Sequence, residues 1–156
     1  MLAIEIPDFA RLEIEHLVLD YNGTLAVDGR MLDGVRERLV QLSASLQLHV
    51  VTGDTFGTAR GALRGLPCTL TCLGESGQRQ SKRDYVTALD PSRVACVGNG
   101  RNDQDMMAIA GLAIAVVQLE GASAETLMAA HVVARGITDA LDLLLHPKRL
   151  LATLRG

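Results

Sequence analysis

Apolar residues are not spread evenly along the chain but gather in short runs at 16–20, 48–52, 68–73, 94–98, 113–117 and 132–134. Each run is three to six residues long and rich in Val, Leu, Ile, Ala or Cys, the signature of strands buried on both faces. Between the runs the period changes. Val35, Leu39, Leu42 and Leu46 recur at helical spacing, as do Ala59, Leu63 and Leu66. Tyr85, Val86 and Leu89 make another apolar face, followed by Met106, Met107, Ile109 and Ala110. Leu127, Met128 and Ala130 and then Ile137, Leu141, Leu144 and Leu145 complete the series. Strands alternating with helices predict crossover units and a doubly wound, Rossmann-like α/β fold, a parallel sheet flanked by helices. At the start, 3–6 and 12–14 flank Pro7-Asp8 and predict an added hairpin within residues 1–15. At the end, Pro147 stops one helix and opens a helical tail over 147–156.

A length of 156 residues with no repeat, linker or low-complexity tract implies one domain over 1–156. Hydrophobic residues make up 48% and aromatics 3%, so the core must be aliphatic. The net charge of −3, with basic residues scattered, argues against a nucleic-acid partner. The apolar stretch 106–117 is broken by Gly111 and too short to span a bilayer, and the acidic N-terminus resembles no signal peptide, which together imply a cytoplasmic chain with no membrane partner. Cys68, Cys72 and Cys96 lie within apolar runs and read as small core residues of a reducing compartment.

In open α/β sheets, ligands bind beyond the carboxyl ends of the strands, and four such places here are polar. The first run ends HLVLDYNGTL. Asn22-Gly23 alone signals a hairpin turn, but the same residues place Asp20 at a strand tip with backbone amides free to face an anion. The second run ends VVTGD, where Thr52 or Asp54 could cap a helix starting near Phe56, or supply a hydroxyl and a close backbone approach at an anion site. The third place is GQRQSKRDYV, carrying Lys82 in a chain whose one other lysine is Lys148. A compact ammonium suits neutralisation of a phosphate. The fourth run ends GNGRNDQDMM. Gly98-x-Gly100 with Glu120 downstream mimics a dinucleotide fingerprint, yet the third glycine is missing and the motif comes late in the chain. No phosphate-binding P-loop pattern occurs. A carboxylate, a hydroxyl, a lysine and an acidic turn, in that order, make a phosphoryl-transfer site.

As a set, DYNGTL, VVTGD, Lys82 and GNGRND resemble the four motifs of the capless haloacid-dehalogenase (HAD)-like hydrolase superfamily. Within it they are most similar to P-type ATPase phosphorylation domains and their soluble phosphatase relatives. The resemblance covers residues 16 to about 107. It implies a Mg²⁺-dependent phosphatase acting through an aspartyl phosphate on Asp20, with Asn22, Thr52 and Lys82 also catalytic. It implies phosphate-binding by Asn22, Gly23, Thr52, Gly53, Lys82 and Asn102, the last orienting Lys82. It implies metal ligation by Asp20, Asn22 and Asp103, with Asn99 as a direct or outer ligand. The expected partner is a phosphorylated small-molecule substrate. Two departures stand out: Asn22 replaces the carboxylate that many relatives use as general acid and base, and Asn99 replaces the first acid of the fourth motif. A phosphate-binding regulatory module of low turnover is therefore the second reading, and ATP hydrolysis a weaker third. Spacings of about thirty residues between Asp20, Thr52 and Lys82 leave room for the flap LAVDGRML but not for a cap. The open site and the apolar ends imply a homo-oligomer, a dimer or tetramer.

Overall fold

The computed structural model describes residues 1–54 and 57–156. A six-stranded parallel sheet is built from β3 (His16–Leu19), β6 (Gln47–Thr52), β7 (Cys68–Cys72), β8 (Val94–Gly98), β9 (Leu112–Val116) and β10 (Val132–Ala134). Its order is β10-β9-β8-β3-β6-β7, so the chain leaves β3 in one direction and crosses back over it to reach β8. That reversal puts the strand ends of β3, β6 and β8 around one crevice, the switch point of a doubly wound sheet.

Alternation along the strands divides the core. Leu17, Leu19, Leu48 and Val50 face one layer with α1 (Val35–Leu42), α6 (Ile137–Leu145) and α7 (Pro147–Leu154). Val18, Val51, Cys96 and Ala113 face the other with α3 (Gln78–Ala88) and α4 (Gln104–Ile109). The hairpin β1 (Leu2–Ile6) and β2 (Ala10–Ile14) buries Ile4, Ile6, Leu12 and Ile14 in the first layer, where Leu150 of α7 also lies. His49 is hydrogen-bonded on both sides, to His16 at 3.1 Å and Tyr85 Oη at 3.0 Å, and so is a satisfied core histidine.

Several local expectations are corrected. Leu46 follows α1 instead of ending it, because the chain turns at Ser43–Ser45 to reach β6. Helix α2 spans only Ala59–Ala62, and Leu63 and Leu66 are buried in the turns after it. The expected start near Phe56 lies outside the described residues. Met128 of α5 (Ala124–Ala129) is exposed. Cys96 is buried, with its thiol pushed up by that burial, but Cys68 is half-buried and Cys72 exposed, because β7 is the edge of the sheet. The turn at Asn22-Gly23 does not make a hairpin. The hairpin comes later, β4 (Ala26–Val27) pairing with β5 (Arg30–Met31), and turns at Asp28 and Gly29, both left-handed with φ of 50° and 76°.

Among the described residues, only this flap and α1 separate β3 from β6, and only α2 separates β6 from β7. No cap domain is present among them. No helix among them is long and apolar enough to cross a membrane.

Candidate active site

The site is assembled by strand ends. Asp20 follows β3 directly, and its amide donates to Val97 O of β8 at 3.0 Å, which holds the first and fourth clusters side by side. Thr52 ends β6, with Leu73 N closing on its carbonyl at 2.8 Å. Lys82 stands in the second turn of α3, and Asp103 ends a 3₁₀ turn at Arg101–Asp103 after β8.

These elements aim three charged groups at one buried point. Lys82 Nζ donates to Asp20 Oδ1 and to Asp103 Oδ1, at 2.6 Å each. Lys82 and Asp103 are 0% exposed and Asp20 is 5% exposed. Burial, with Asp103 adding to it, raises the Asp20 carboxyl to about 6 against the lowering pull of Lys82. Burial also works to lower the Lys82 ammonium, but the carboxylates of Asp20 and Asp103 outweigh it and hold Lys82 above the ordinary lysine value. Lysine stays charged, and its two partners compete for it.

Asp103 is fully engaged. Its second oxygen, Oδ2, accepts from the amides of Asn99 and Gly100 at 3.0 and 2.9 Å. It therefore shapes the fourth loop and buttresses Lys82. The expectation that Asn102 orients Lys82 is corrected: the Asn102 amide donates to Gln78 Oε1 at 2.9 Å instead.

The other side of Asp20 holds neutral oxygens. The Thr24 hydroxyl lies 3.5 Å from Asp20 Oδ2 and 3.2 Å from Asn99 Oδ1, placing both near one hydroxyl. Asn22 Oδ1 is buried without a hydrogen-bond partner among the described residues. Gly23 adopts φ of 79°, and a Cβ on it would come within 2.4 Å of Asn99 Nδ2, so glycine is required for both reasons. Thr52 Oγ1 accepts from Asp54 N at 3.0 Å, and Asp54 Oδ1 in turn accepts from Ala59 N at 3.1 Å. Asp54 thus fills the helix-start role and leaves Thr52 at the crevice.

A loop that sequence reasoning missed ties these parts together. Gln118 Nε2 donates to Gly23 O and Thr24 O at 3.0 and 2.8 Å, while its Oε1 accepts from Ile137 N at 2.8 Å. Asn99 Nδ2 donates to Gly121 O at 3.0 Å, and Asp28 N of the flap donates to Glu120 Oε1 at 3.1 Å. The flap is held from its other side as well, since Thr58 Oγ1 donates to Gly29 O at 2.8 Å. Residues 118–121 carry no motif of their own, and their partners in the first loop and the flap, Gly23, Thr24 and Asp28, lie more than ninety positions away in the chain. The available signal was slight: Gln118 and Glu120, alternating with apolar Val117 and Leu119 just past the carboxyl end of β9.

No protein-family model matches the chain. Two curated proteins of Methanocaldococcus jannaschii do. Uncharacterized protein MJ0073 is 43% identical over 63 residues, which is 40% of this chain and 68% of that protein. Uncharacterized protein MJ0072 is 41% identical over 39 residues, 25% of this chain and 89% of that protein. Among solved structures, one from Streptomyces avermitilis assigned to the HAD-family hydrolases superposes with a TM-score of 0.68 at 22% identity, covering 87% of each chain. The 3-deoxy-D-manno-octulosonate 8-phosphate phosphatase of Yersinia pestis gives 0.67 at 19% identity, covering 97% of this chain and 96% of its own. The phosphatase of the same name from Moraxella catarrhalis, in complex with magnesium, phosphate and KDO, gives 0.67 at 16% identity, covering 92% and 94%. The chain belongs to one family with the two M. jannaschii proteins, and its fold is that of the haloacid-dehalogenase superfamily.

Proposed function

We propose that the chain is a Mg²⁺-dependent phosphohydrolase in which Asp20 accepts the phosphoryl group. The observation that carries this reading is Lys82, wholly buried between Asp20 and Asp103 at 2.6 Å from each. A buried ion triad is an expensive way to stabilise a fold, since apolar residues of the same volume do as well or better. It is economical as a place where a phosphate dianion meets an ionised nucleophile. The magnesium-containing phosphatase of the same fold supports the reading.

The residues present fit a magnesium ion. Asp20 Oδ2 and Asn99 Oδ1 flank the Thr24 hydroxyl, and hard oxygens are what Mg²⁺ takes. We assign Asp20, the Asn22 backbone carbonyl and Asn99 to holding it, and set aside the expectation that Asp103 is a ligand as well, because Lys82 takes one of its oxygens and the amides of Asn99 and Gly100 take the other. When bound, the ion supplies positive charge that offsets the phosphate and the nucleophile. Only one of these donors is charged, so metal and phosphate should bind together more tightly than either alone. Asp20 attacks phosphorus and the bond to the ester oxygen breaks, leaving an alkoxide or phenoxide and an aspartyl phosphate. Thr52, Lys82, Asn102 and the amides near Asn22, Gly23 and Gly53 hold the phosphoryl oxygens meanwhile. Water then attacks the aspartyl phosphate and loses a proton, releasing phosphate and restoring Asp20.

Hydrolysis of an aryl phosphate by purified protein with Mg²⁺, abolished by chelator, is the expected result. Stoichiometric phosphate binding without turnover would instead favour the regulatory module. Position 22 refines the test. Its amide has no useful pKa near neutrality, so an alkoxide must find its proton in water. Asn22→Asp should accelerate alkyl phosphates by up to about 10²–10⁴-fold and aryl phosphates much less, because a phenoxide departs unaided. The comparison is the variant-to-parent ratio of kcat for the two ester types. A ratio at or below one for the alkyl ester, in a folded variant that still binds Mg²⁺, would exclude position 22 as the site of the missing proton shuttle.

A further inference from the structure

Strand β7 is one edge of the sheet, and it reads Cys68-Thr69-Leu70-Thr71-Cys72, the same in both directions. Leu73 N donates to Thr52 O, so Leu73 turns its amide toward β6. Backbone orientation alternates along a strand. Thr69 and Thr71 therefore also face β6, while Cys68, Leu70 and Cys72 turn their amides and carbonyls outward. Cys68 N bends back to Leu66 O at 2.9 Å. The outward amides of Leu70 and Cys72, and the outward carbonyls of all three residues, meet no strand among the described residues.

Native sheets blunt such an edge with charge, proline or brevity. The opposite edge does so: β10 is three residues long and runs into Arg135. β7 has five residues, none of them charged and none proline. Thr69 and Cys72 are exposed, and Leu70 is half-buried at the margin of the first core layer. A free, uncharged edge of this kind is a template for another strand. The palindrome says which strand. A symmetric dimer needs a surface complementary to itself under a two-fold rotation. With the axis at Leu70, two copies of β7 pair antiparallel, Leu70 against Leu70, Thr69 against Thr71 and Cys68 against Cys72. Thr–Thr and apolar cross-strand pairs are favourable. The same rotation brings the Arg64 end of one strand to the Glu75 end of the other, both exposed and opposite in charge.

We propose that β7 is the interface of a symmetric dimer, in which two copies of the chain join their six-stranded sheets by antiparallel pairing centred on Leu70. The seam reaches the crevice, because Cys72 is the register partner of Thr52 in the sheet. The end of the partner's β7 that carries its Cys68 therefore borders the open side of the site. The interface stands whether or not Asp20 is the phosphoryl acceptor.

The cysteines read the register. Cα atoms of a hydrogen-bonded antiparallel pair lie about 5.5 Å apart, inside the window of about 4.4–6.8 Å that a disulfide needs. Diamide joins two thiols as one disulfide and takes up their two electrons and two protons as it becomes the hydrazine. Treated with diamide, the parent should run as a covalent dimer on a non-reducing gel. Cys68→Ser alone and Cys72→Ser alone should give none, because each remaining edge cysteine then faces a serine. A mixture of the two variants should give the cross-linked heterodimer. Cys96 is buried and takes no part. In sedimentation the parent should be dimeric at a concentration on the order of 100 µM, and Thr69→Lys/Thr71→Lys, which sets lysine against lysine across the seam, should weaken the dimer by at least about tenfold. A parent that is monomeric at that concentration overturns the proposal. So does cross-linking of either serine variant with itself, a mixture that yields no heterodimer, or a folded double-lysine variant as dimeric as the parent.

Discussion

Asp20→Asn is expected to lower turnover of an aryl phosphate by at least about 10⁴-fold, the scale on which loss of a nucleophile is felt, and to make the protein more stable. The two effects have one cause. Asp20 is a carboxylate in a place that disfavours carboxylates: it is 5% exposed, and Asp103 reaches the same ammonium from the other side. Three groups carry a summed charge of −1, with one lysine for two acids. An asparagine keeps the shape and can still accept from Lys82, but it removes the surplus charge and with it the nucleophile. Stability stored against function in this way is a common pattern at active sites.

The pH dependence gives the same prediction a second readout. The Asp20 carboxyl is raised to about 6 in the folded chain by burial and by Asp103, from an ordinary value of 3.8. Between those values the folded protein binds the proton more tightly than the unfolded chain does. The contribution to stability is therefore fully present below pH 4 and is lost as pH rises through 6. In metal-free protein the melting temperature should decline across that window on this account, and in Asp20→Asn the decline should be absent, a difference on the order of 1–3 kcal/mol at neutral pH. Melting curves of both proteins between pH 4 and 7, in chelator, read this directly. An Asp20→Asn protein less stable than its parent at pH 7 would mean that the carboxylate is a net stabiliser, and the charge argument would fail.

The doubly wound sheet was legible because parallel strands buried on both faces must be apolar throughout, as β8 and β9 are at every position. The ends of those strands were legible for the complementary reason: a polar residue there has no place in the core. Hence Asp20 and Thr52 stood out by position, although each alone could also be a turn or cap residue. Asp103, beyond the strand end in a 3₁₀ turn, was singled out by the likeness of GNGRND to a known motif. What a side chain does once in place was less visible. Asp103 and Asn102 are neighbours in sequence, yet one faces Lys82 and the other Gln78, a division made by the 3₁₀ turn that carries both. The Asn22-Gly23 dipeptide signals a hairpin, and the chain does bend there. Ala26 N and Thr24 N both return to Tyr21 O, however, so the bend becomes a tight loop around the crevice and the hairpin is deferred to Asp28 and Gly29. Gln118 was invisible because hydrogen bonds to backbone carbonyls leave no pattern in the side chains they fix.

Replacing Lys82 by methionine should have the opposite sign in stability from Asp20→Asn. Methionine matches the stem of lysine in volume and flexibility, so packing against the second core layer is largely kept. What is lost is the ammonium, and two carboxylates then face each other in a site with almost no access to water. Removing one partner of a buried ion pair costs about 3–5 kcal/mol, because the charge left behind is uncompensated. For a chain of this length that is a fall of about 6–20 °C in Tm. The penalty should shrink as the pH is lowered, since protonation of Asp20 removes the repulsion. It should also shrink in the Asp20→Asn background, where only Asp103 is left charged and the amides of Asn99 and Gly100 still satisfy one of its oxygens. A double-mutant cycle of Lys82→Met with Asp20→Asn should therefore return a coupling of about 1–3 kcal/mol. Activity should be absent from all three variants, since a phosphate entering without Lys82 meets a nucleophile of its own sign. If Lys82→Met destabilised the parent and the Asp20→Asn protein equally, Lys82 would be serving Asp103 alone. The ammonium would then belong to the loop, and the neutralisation of Asp20 would have to come wholly from a bound metal.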